Sequence, residues 1–179
     1  MDKDELRAWL RLLLTPHVGP TVARRLLAAL GSPQAVFSAS RLTLGKLASE
    51  RETEALLAEP PELDVQCNTT AAWLLEPGCD LLTLADPRYP AALLEVANPP
   101  LLLFAQGDLA LLTAPAVAVV GSRHPTAQGQ DNARAFAQAL SGAGVVVVSG
   151  LALGVDAAAH EGALSGAPTS PQAGWPGGS

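Results

Sequence analysis

Cysteine, aromatic residues and charge are all scarce in this chain, and no long apolar run interrupts it. Two cysteines, Cys67 and Cys79, provide neither a disulfide framework nor a zinc ligand set. Charged residues make up 16% and hydrophobic residues 49%, the reverse of the balance that keeps a chain unfolded. The apolar stretch at residues 144–155 is too short to span a bilayer and contains Ser149. The opening Met1-Asp2-Lys3-Asp4-Glu5 is acidic where a secretory signal is basic and then apolar. A length of 179 residues suffices for one or two domains with their own cores. The expectation is a soluble cytoplasmic protein.

Familiar catalytic signatures are missing too. No Gly-x-Gly-x-x-Gly follows Val120, so dinucleotide binding lacks its fingerprint. No Gly-Lys-Ser/Thr closes a phosphate loop, and Ser149 lacks the glycine-flanked elbow of a hydrolase nucleophile. With three histidines (His17, His124, His160) and no cysteine beside them, a metal site is not expected. No cofactor and no catalytic residue are assigned.

What is present is unevenly distributed. The net charge of −6 comprises +4 over residues 1–51, −9 over residues 52–112 and −1 over the remainder. Global acidity argues against indiscriminate nucleic-acid binding but leaves room for a local basic contact. The first third reads as short helices. Leu6, Trp9, Leu10 and Leu13 recur at helical spacing, Val22, Leu26, Leu27 and Leu30 form a second stripe stopped by Gly31, and Ser32-Pro33 caps a third helix. Between the first two helices, His17-Val18-Gly19-Pro20, followed by Arg24 and Arg25, offers amides and charge to a DNA backbone, or else is an ordinary helix turn. Pro60-Pro61 ends this region, and a further amphipathic helix (Leu63, Cys67, Thr70, Trp73, Leu74) runs to Pro77-Gly78.

The pattern then shifts to strands. Leu81–Leu84 and Leu101–Phe104 are short apolar runs bounded by turn residues. Val117–Val120 and Val145–Val148 are unbroken branched runs of the kind covered on both faces. A helix with Ala133, Phe136, Ala137 and Leu140 on one face lies between them, making residues 117–148 a βαβ unit with parallel strands. The predicted organisation is a helical domain at 1–60, a connecting helix at 61–79, an α/β domain at 80–166 and a Gly/Pro/Ser tail at 167–179, with the boundary between Pro60 and Asp80. The uncharged tail reads as disordered where a parallel sheet should continue. A shortened chain or a shifted reading frame would produce it, and nine arginines to two lysines, the usage of a GC-rich gene, favour the second.

Ligands of open parallel sheets settle at the carboxyl ends of strands, which directs attention to two loops. In the first, Gly121 allows a sharp turn off the strand, Ser122 supplies a hydroxyl, Arg123 a bidentate phosphate grip, and the amides from Thr126 to Gly129 a positive helix end. The plain alternative is a βα connection with a surface arginine. In the second, small residues at Ser149, Gly150, Ala152 and Gly154 permit close approach of a ligand or of the other loop. Asp156 and His160 share a face of the following helix. Their structural reading, a helix-start carboxylate and a packed, hydrogen-bonded imidazole, outweighs an acid/base pair.

Together these residues resemble the DNA-processing protein A (DprA/Smf) family. The likeness begins at Asp86-Pro87-Arg88-Tyr89-Pro90 and Pro99-Pro100-Leu101, and sharpens at Val119-Val120-Gly121-Ser122-Arg123 with Gly129. It is most specific from Val148-Ser149-Gly150-Leu151-Ala152-Leu153-Gly154-Val155-Asp156 through His160 to Gly162-Ala163-Leu164. Residues 1–60 resemble the small helix-hairpin-helix or SAM-like domain that precedes this fold. The resemblance implies an α/β protein with an incomplete Rossmann-like parallel sheet and no catalysis. It implies binding of single-stranded DNA in natural transformation, protection of incoming DNA and loading of a RecA-type recombinase. Arg123 takes the place of the family's phosphate-gripping arginine, and Ser149–Gly154 that of its glycine-lined loop.

The departures are Gln128, where an aromatic is common, and the end of the likeness near Gly166. The family's further DNA contacts, its homodimer surface and its recombinase surface belong to a later half. An impaired, truncated product with an uncovered valine edge is therefore expected. The competing reading is a nucleotide phosphoribohydrolase of the lysine-decarboxylase-like group, which needs a Pro-Gly-Gly-x-Gly-Thr loop that Pro176-Gly177-Gly178-Ser179 only echoes. With few aromatics near the loops, binding is expected to rest on phosphates, with little base preference and strong salt dependence.

Overall fold

The computed structural model describes residues 1–166, and these divide into two compact units, one ending at Leu112 and the other beginning at Thr113. The first unit opens with α1 (Lys3–Leu14), α2 (Pro20–Leu30), α3 (Pro33–Ser38), α4 (Arg41–Gly45), α5 (Glu50–Leu57) and α6 (Leu63–Trp73). Local chemistry sets their limits. The Asp2 carboxylate accepts the Glu5 amide, Ser32 the Ala35 amide, and Ser49 with Glu52 forms a reciprocal capping box. Pro20 and Pro33 occupy first-turn positions, where a missing N–H costs nothing. Leu6, Trp9, Leu10, Leu12, Leu26, Val36, Leu44, Leu56 and Leu63 meet in one core. The α1 stripe differs from expectation at one position: Leu12 is fully buried while Leu13 lies exposed, because α1 packs on both α3 and α6 and so buries a wider arc.

The hairpin β1 (Cys79–Thr83) and β2 (Leu102–Gln106) completes this unit. The strands pair antiparallel, with Leu81 opposite Phe104, and Leu81, Leu101 and Leu102 join the helical core. The division between compact units therefore falls at Leu112, downstream of the Pro60–Asp80 break read from the sequence. The connection between the strands, which includes α7 (Ala91–Leu94), is held by a clasp. The Asp86 carboxylate accepts the Arg88 amide and guanidinium, Arg88 also reaches Asp80 at 3.1 Å, and the Tyr89 hydroxyl donates to the Pro100 carbonyl at 2.8 Å.

In the second unit β3 (Ala116–Ala118) leads into α8 (Ala127–Gly142), then β4 (Val146–Val148) and α9 (Val155–Gly166). The two strands pair parallel in the register Ala116–Val146 to Ala118–Val148, the expected βαβ unit. The expectation of strands covered on both faces is corrected: Val117, Val120 and Val148 are exposed, since a two-stranded sheet leaves its edges and one face open among the described residues. Phe136 is also exposed rather than part of the packed α8 face. The reason lies in how closely α8 and α9 cross. A Cβ on Gly162 would collide with the Arg134 carbonyl, so Ala133, Ala137, Ala158 and Ala159 fill a seam too narrow for a ring. The chain thus combines a helical domain with a small α/β region built on a short parallel sheet. No helix among the described residues is long and apolar enough to cross a membrane. The tail at 167–179, including Pro176-Gly177-Gly178-Ser179, lies outside the described residues.

Candidate functional site

The two loops singled out from the sequence sit side by side at the carboxyl ends of β3 and β4, and the backbone knits them together. The Val119 amide donates to the Val148 carbonyl at 2.9 Å, continuing the ladder beyond the strands. Ser149 Oγ donates to the Val119 carbonyl at 2.7 Å, and the Val155 amide donates to the Ser122 carbonyl at 3.1 Å. Gly154, at φ 83°, lies directly against the Ser122 and Arg123 carbonyls, where any Cβ would collide. Here glycine is required twice over, by backbone conformation and by contact. Gly121 serves differently from expectation: it has no positive φ, and its hydrogen faces the Val155 side chain, where a Cβ would stand 2.9 Å from a methyl group.

Within the first loop, Ser122 Oγ accepts the His124 amide at 3.0 Å, which leaves its own proton free to donate outward. Thr126 caps α8 by accepting the Gly129 amide at 3.1 Å. That amide is thereby satisfied, and the unfilled donors at this helix end are the amides before it. The first turn of α8 holds no acidic residue to compete with an incoming anion. Gln128 is tied along the helix to Asn132 at 2.8 Å.

The second loop turns its amides inward. Asp156, buried at the start of α9, accepts the Gly150 amide at 3.0 Å and the Ala152 amide at 3.5 Å. A carboxylate of the chain itself fills the place that a phosphate would take in an open nest. Asp156 is thus the loop's internal anchor as well as a helix-start carboxylate. His160 is partly buried, and its Nε2 has no hydrogen-bond partner among the described residues, so the fully bonded imidazole expected there is not found. Inward-facing amides push the side chains outward: Leu151 takes φ 56°, unusual for a residue with a Cβ, and is 82% exposed, while Leu153 is 74% exposed.

The two arginines of this unit are used in different ways. Arg134 pairs with Glu161 at 2.7 Å and with Asp131 at 3.2 Å, and the Glu161 hydrogen bond pushes its pKa up. Arg123 is exposed and its side chain has no ion-pair or hydrogen-bond partner among the described residues. In the first unit, a cleft of about 510 Å³ is lined by Cys79, Asp80, Asp86 and Arg88, but its cation is already neutralised by two carboxylates. The N-terminal turn commits part of its polar set as well, since Thr21 Oγ1 donates to Asn98 Oδ1 at 2.6 Å and Arg24 reaches the Ala97 carbonyl at 3.5 Å.

Sequence reasoning located both loops but missed which groups in them are free. The signal was Asp156 itself, six residues after Gly150. Here that acid folds back on the loop amides and removes them as ligand donors.

A parallel βαβ unit with two joined loops at its strand ends, preceded by a small helical domain, defines an α/β protein of the open-sheet class. Residues 80–171, more than half the chain, match the DNA recombination-mediator protein A family, and residues 3–56 match the DprA-like N-terminal HHH domain. The chain belongs to the DNA recombination-mediator protein A family. It is 31% identical to Protein Smf of Synechocystis over 170 residues, covering 92% of this chain and 42% of that protein. It is 46% identical to DNA processing protein DprA of Streptococcus pneumoniae over 82 residues, covering 46% of this chain and 29% of that protein. The X-ray structure of the Streptococcus pneumoniae DprA superposes with a TM-score of 0.66 at 27% identity, over 93% of this chain and 55% of that one. The chain thus spans less than half the length of these curated relatives.

Proposed function

We propose that this chain binds single-stranded DNA without catalysis, in the cytoplasm, through the loop pair at Gly121–Arg123 and Ser149–Gly154. In this reading it protects incoming DNA during natural transformation and passes it to a RecA-type recombinase. The observation that carries the proposal is Arg123, an uncommitted cation on a loop whose neighbours hold it rigidly. Beside it are the Ser122 hydroxyl and an α8 N-terminus free of acidic residues. A guanidinium, a hydroxyl and free helix amides make up a phosphate-binding set. The matched DNA processing protein DprA of Streptococcus pneumoniae supports the same reading.

Fluorescence anisotropy with a labelled single strand, titrated at several salt concentrations and against a duplex, tests it. Arg123→Ala should weaken single-strand binding about tenfold and lower the salt slope by about one. An unchanged affinity and slope would remove the site from these loops. Turnover of a free nucleotide by the chain would favour the phosphoribohydrolase reading instead.

A further inference from the structure

Arg123 accounts for phosphates, yet the same crest displays two large apolar side chains that the fold does not use. Leu151 and Leu153 are 82% and 74% exposed and flank Ala152, whose amide, with that of Gly150, is drawn toward Asp156. Ser149 and Gly154 fix the two ends of this segment against the first loop. Leu151 also keeps a φ of 56°, a conformation that glycine would adopt at less cost. An exposed leucine in a strained backbone gains nothing from the folded core, so it suits an apolar surface brought from outside.

We infer that Leu151 and Leu153 contact the faces of unstacked bases on either side of a phosphate held by Arg123. The inference rests on the single-strand reading given above. Leucine serves as an apolar wedge between bases in other nucleic-acid contacts. Charge complementarity selects this occupant, since a free guanidinium and two apolar side chains on one rigid crest match the alternation of phosphate and base. Among the described residues of this unit no aromatic platform stands in their place: Phe136 lies ten residues along α8 from Thr126, about 15 Å at the helical rise. The expectation of purely phosphate-based binding is thereby sharpened. Sequence preference stays weak, because a leucine meets any base face equally, but the presence of bases matters.

The test compares an oligothymidylate with an abasic phosphodiester strand of equal length and charge, using the full 179-residue chain. The variant is Leu151→Gly with Leu153→Ser; glycine suits the φ at 151, and both positions are exposed, so the fold should be retained, as circular dichroism would check. The wild type should bind the oligothymidylate about fivefold more tightly than the abasic strand, the lower end of what one stacked base contributes. The double variant should lose that difference while keeping the abasic affinity and the salt slope. Arg123→Ala should weaken binding to both strands. Equal wild-type affinity for the two strands would overturn the leucine contact and leave phosphate binding standing. A variant that binds both as the wild type does would overturn the leucine contact, and one that instead shifts the oligomeric state in light scattering would assign the leucines to a protein contact. Failure of the wild type to bind either strand would overturn both proposals.

Discussion

The two units of this chain are stabilised by different means. The first has a core of leucines, a tryptophan and valines, and side-chain caps at four of its first six helices. The second is stabilised mainly by a close alanine–glycine seam between α8 and α9, and its sheet valines stand exposed. Large side chains bury apolar area, which scales with their size, whereas a narrow seam relies on close van der Waals packing of backbones. The first unit should therefore be sensitive to lost volume, and the second to added volume. The candidate site belongs to the second kind, where loop rigidity comes from backbone contacts at Gly154 and a buried carboxylate.

The largest expected effect comes from removing volume in the first unit. Leu10 is fully buried in α1, and Leu10→Ala should cost about 3 kcal/mol, from lost transfer energy and the cavity left behind. Val117→Ala, at an exposed strand position, should change stability by less than about 0.5 kcal/mol. Hydrogen exchange read by mass spectrometry separates the units, which a single melting curve does not. Leu10→Ala should speed exchange in α1, α3 and α6 and leave α8 and α9 unchanged. Similar losses for the two substitutions would mean that the valine sheet is covered in solution.

The second effect runs the opposite way. Gly162→Ala adds one methyl group where the Arg134 carbonyl already occupies the space, and should cost about 2 kcal/mol by forcing the helices apart. Alanine is otherwise the better helix former, so on propensity alone the substitution would stabilise α9. The sign of the measured change decides whether the seam or propensity governs this unit. Faster exchange confined to α8 and α9 is the expected result.

Much of this architecture was legible from residue pattern. Ser32-Pro33, Gly31 and the stripe Leu63, Cys67, Thr70 mark helix limits and faces, because capping and periodicity are local properties. The βαβ unit was legible because two valine runs bracket one helical pattern. The pairing of Leu81–Leu84 with Leu101–Phe104 on the helical core was not, since an apolar run does not encode which neighbour covers it. Phe136 was assigned to the core for a related reason. Periodicity places it on an apolar face, but the distance to the next helix is set by Gly162, 26 residues later. At the site, residue types pointed to both loops. The commitment of the Gly150 and Ala152 amides to Asp156 depends on tertiary geometry that spacing alone does not fix.

The smallest effect concerns the clasp in the first unit and depends on pH. Arg88 donates to both oxygens of Asp86, which holds that carboxyl below its ordinary pKa. A carboxylate with a depressed folded pKa binds its proton more weakly in the native than in the unfolded chain. Its contribution is therefore complete above the ordinary value near pH 4 and is lost as pH falls through the folded value. Asp86→Asn removes the charge at every pH. At neutral pH it should destabilise the β1–β2 connection by less than either substitution above, because Arg88 is half exposed and solvent screens the pair. The difference between wild type and Asp86→Asn should then shrink as the pH is lowered from 7 toward 3. Exchange rates of the Arg88 and Tyr89 amides would report it directly, since both bonds return to Asp86. Glu52, held low by its hydrogen bonds to Ser49, responds to acid in the same direction, but it does so equally in the two proteins and cancels from the difference. A gap that stays constant across this range would show that Asp86 stabilises the turn by shape and hydrogen bonding, independent of its charge.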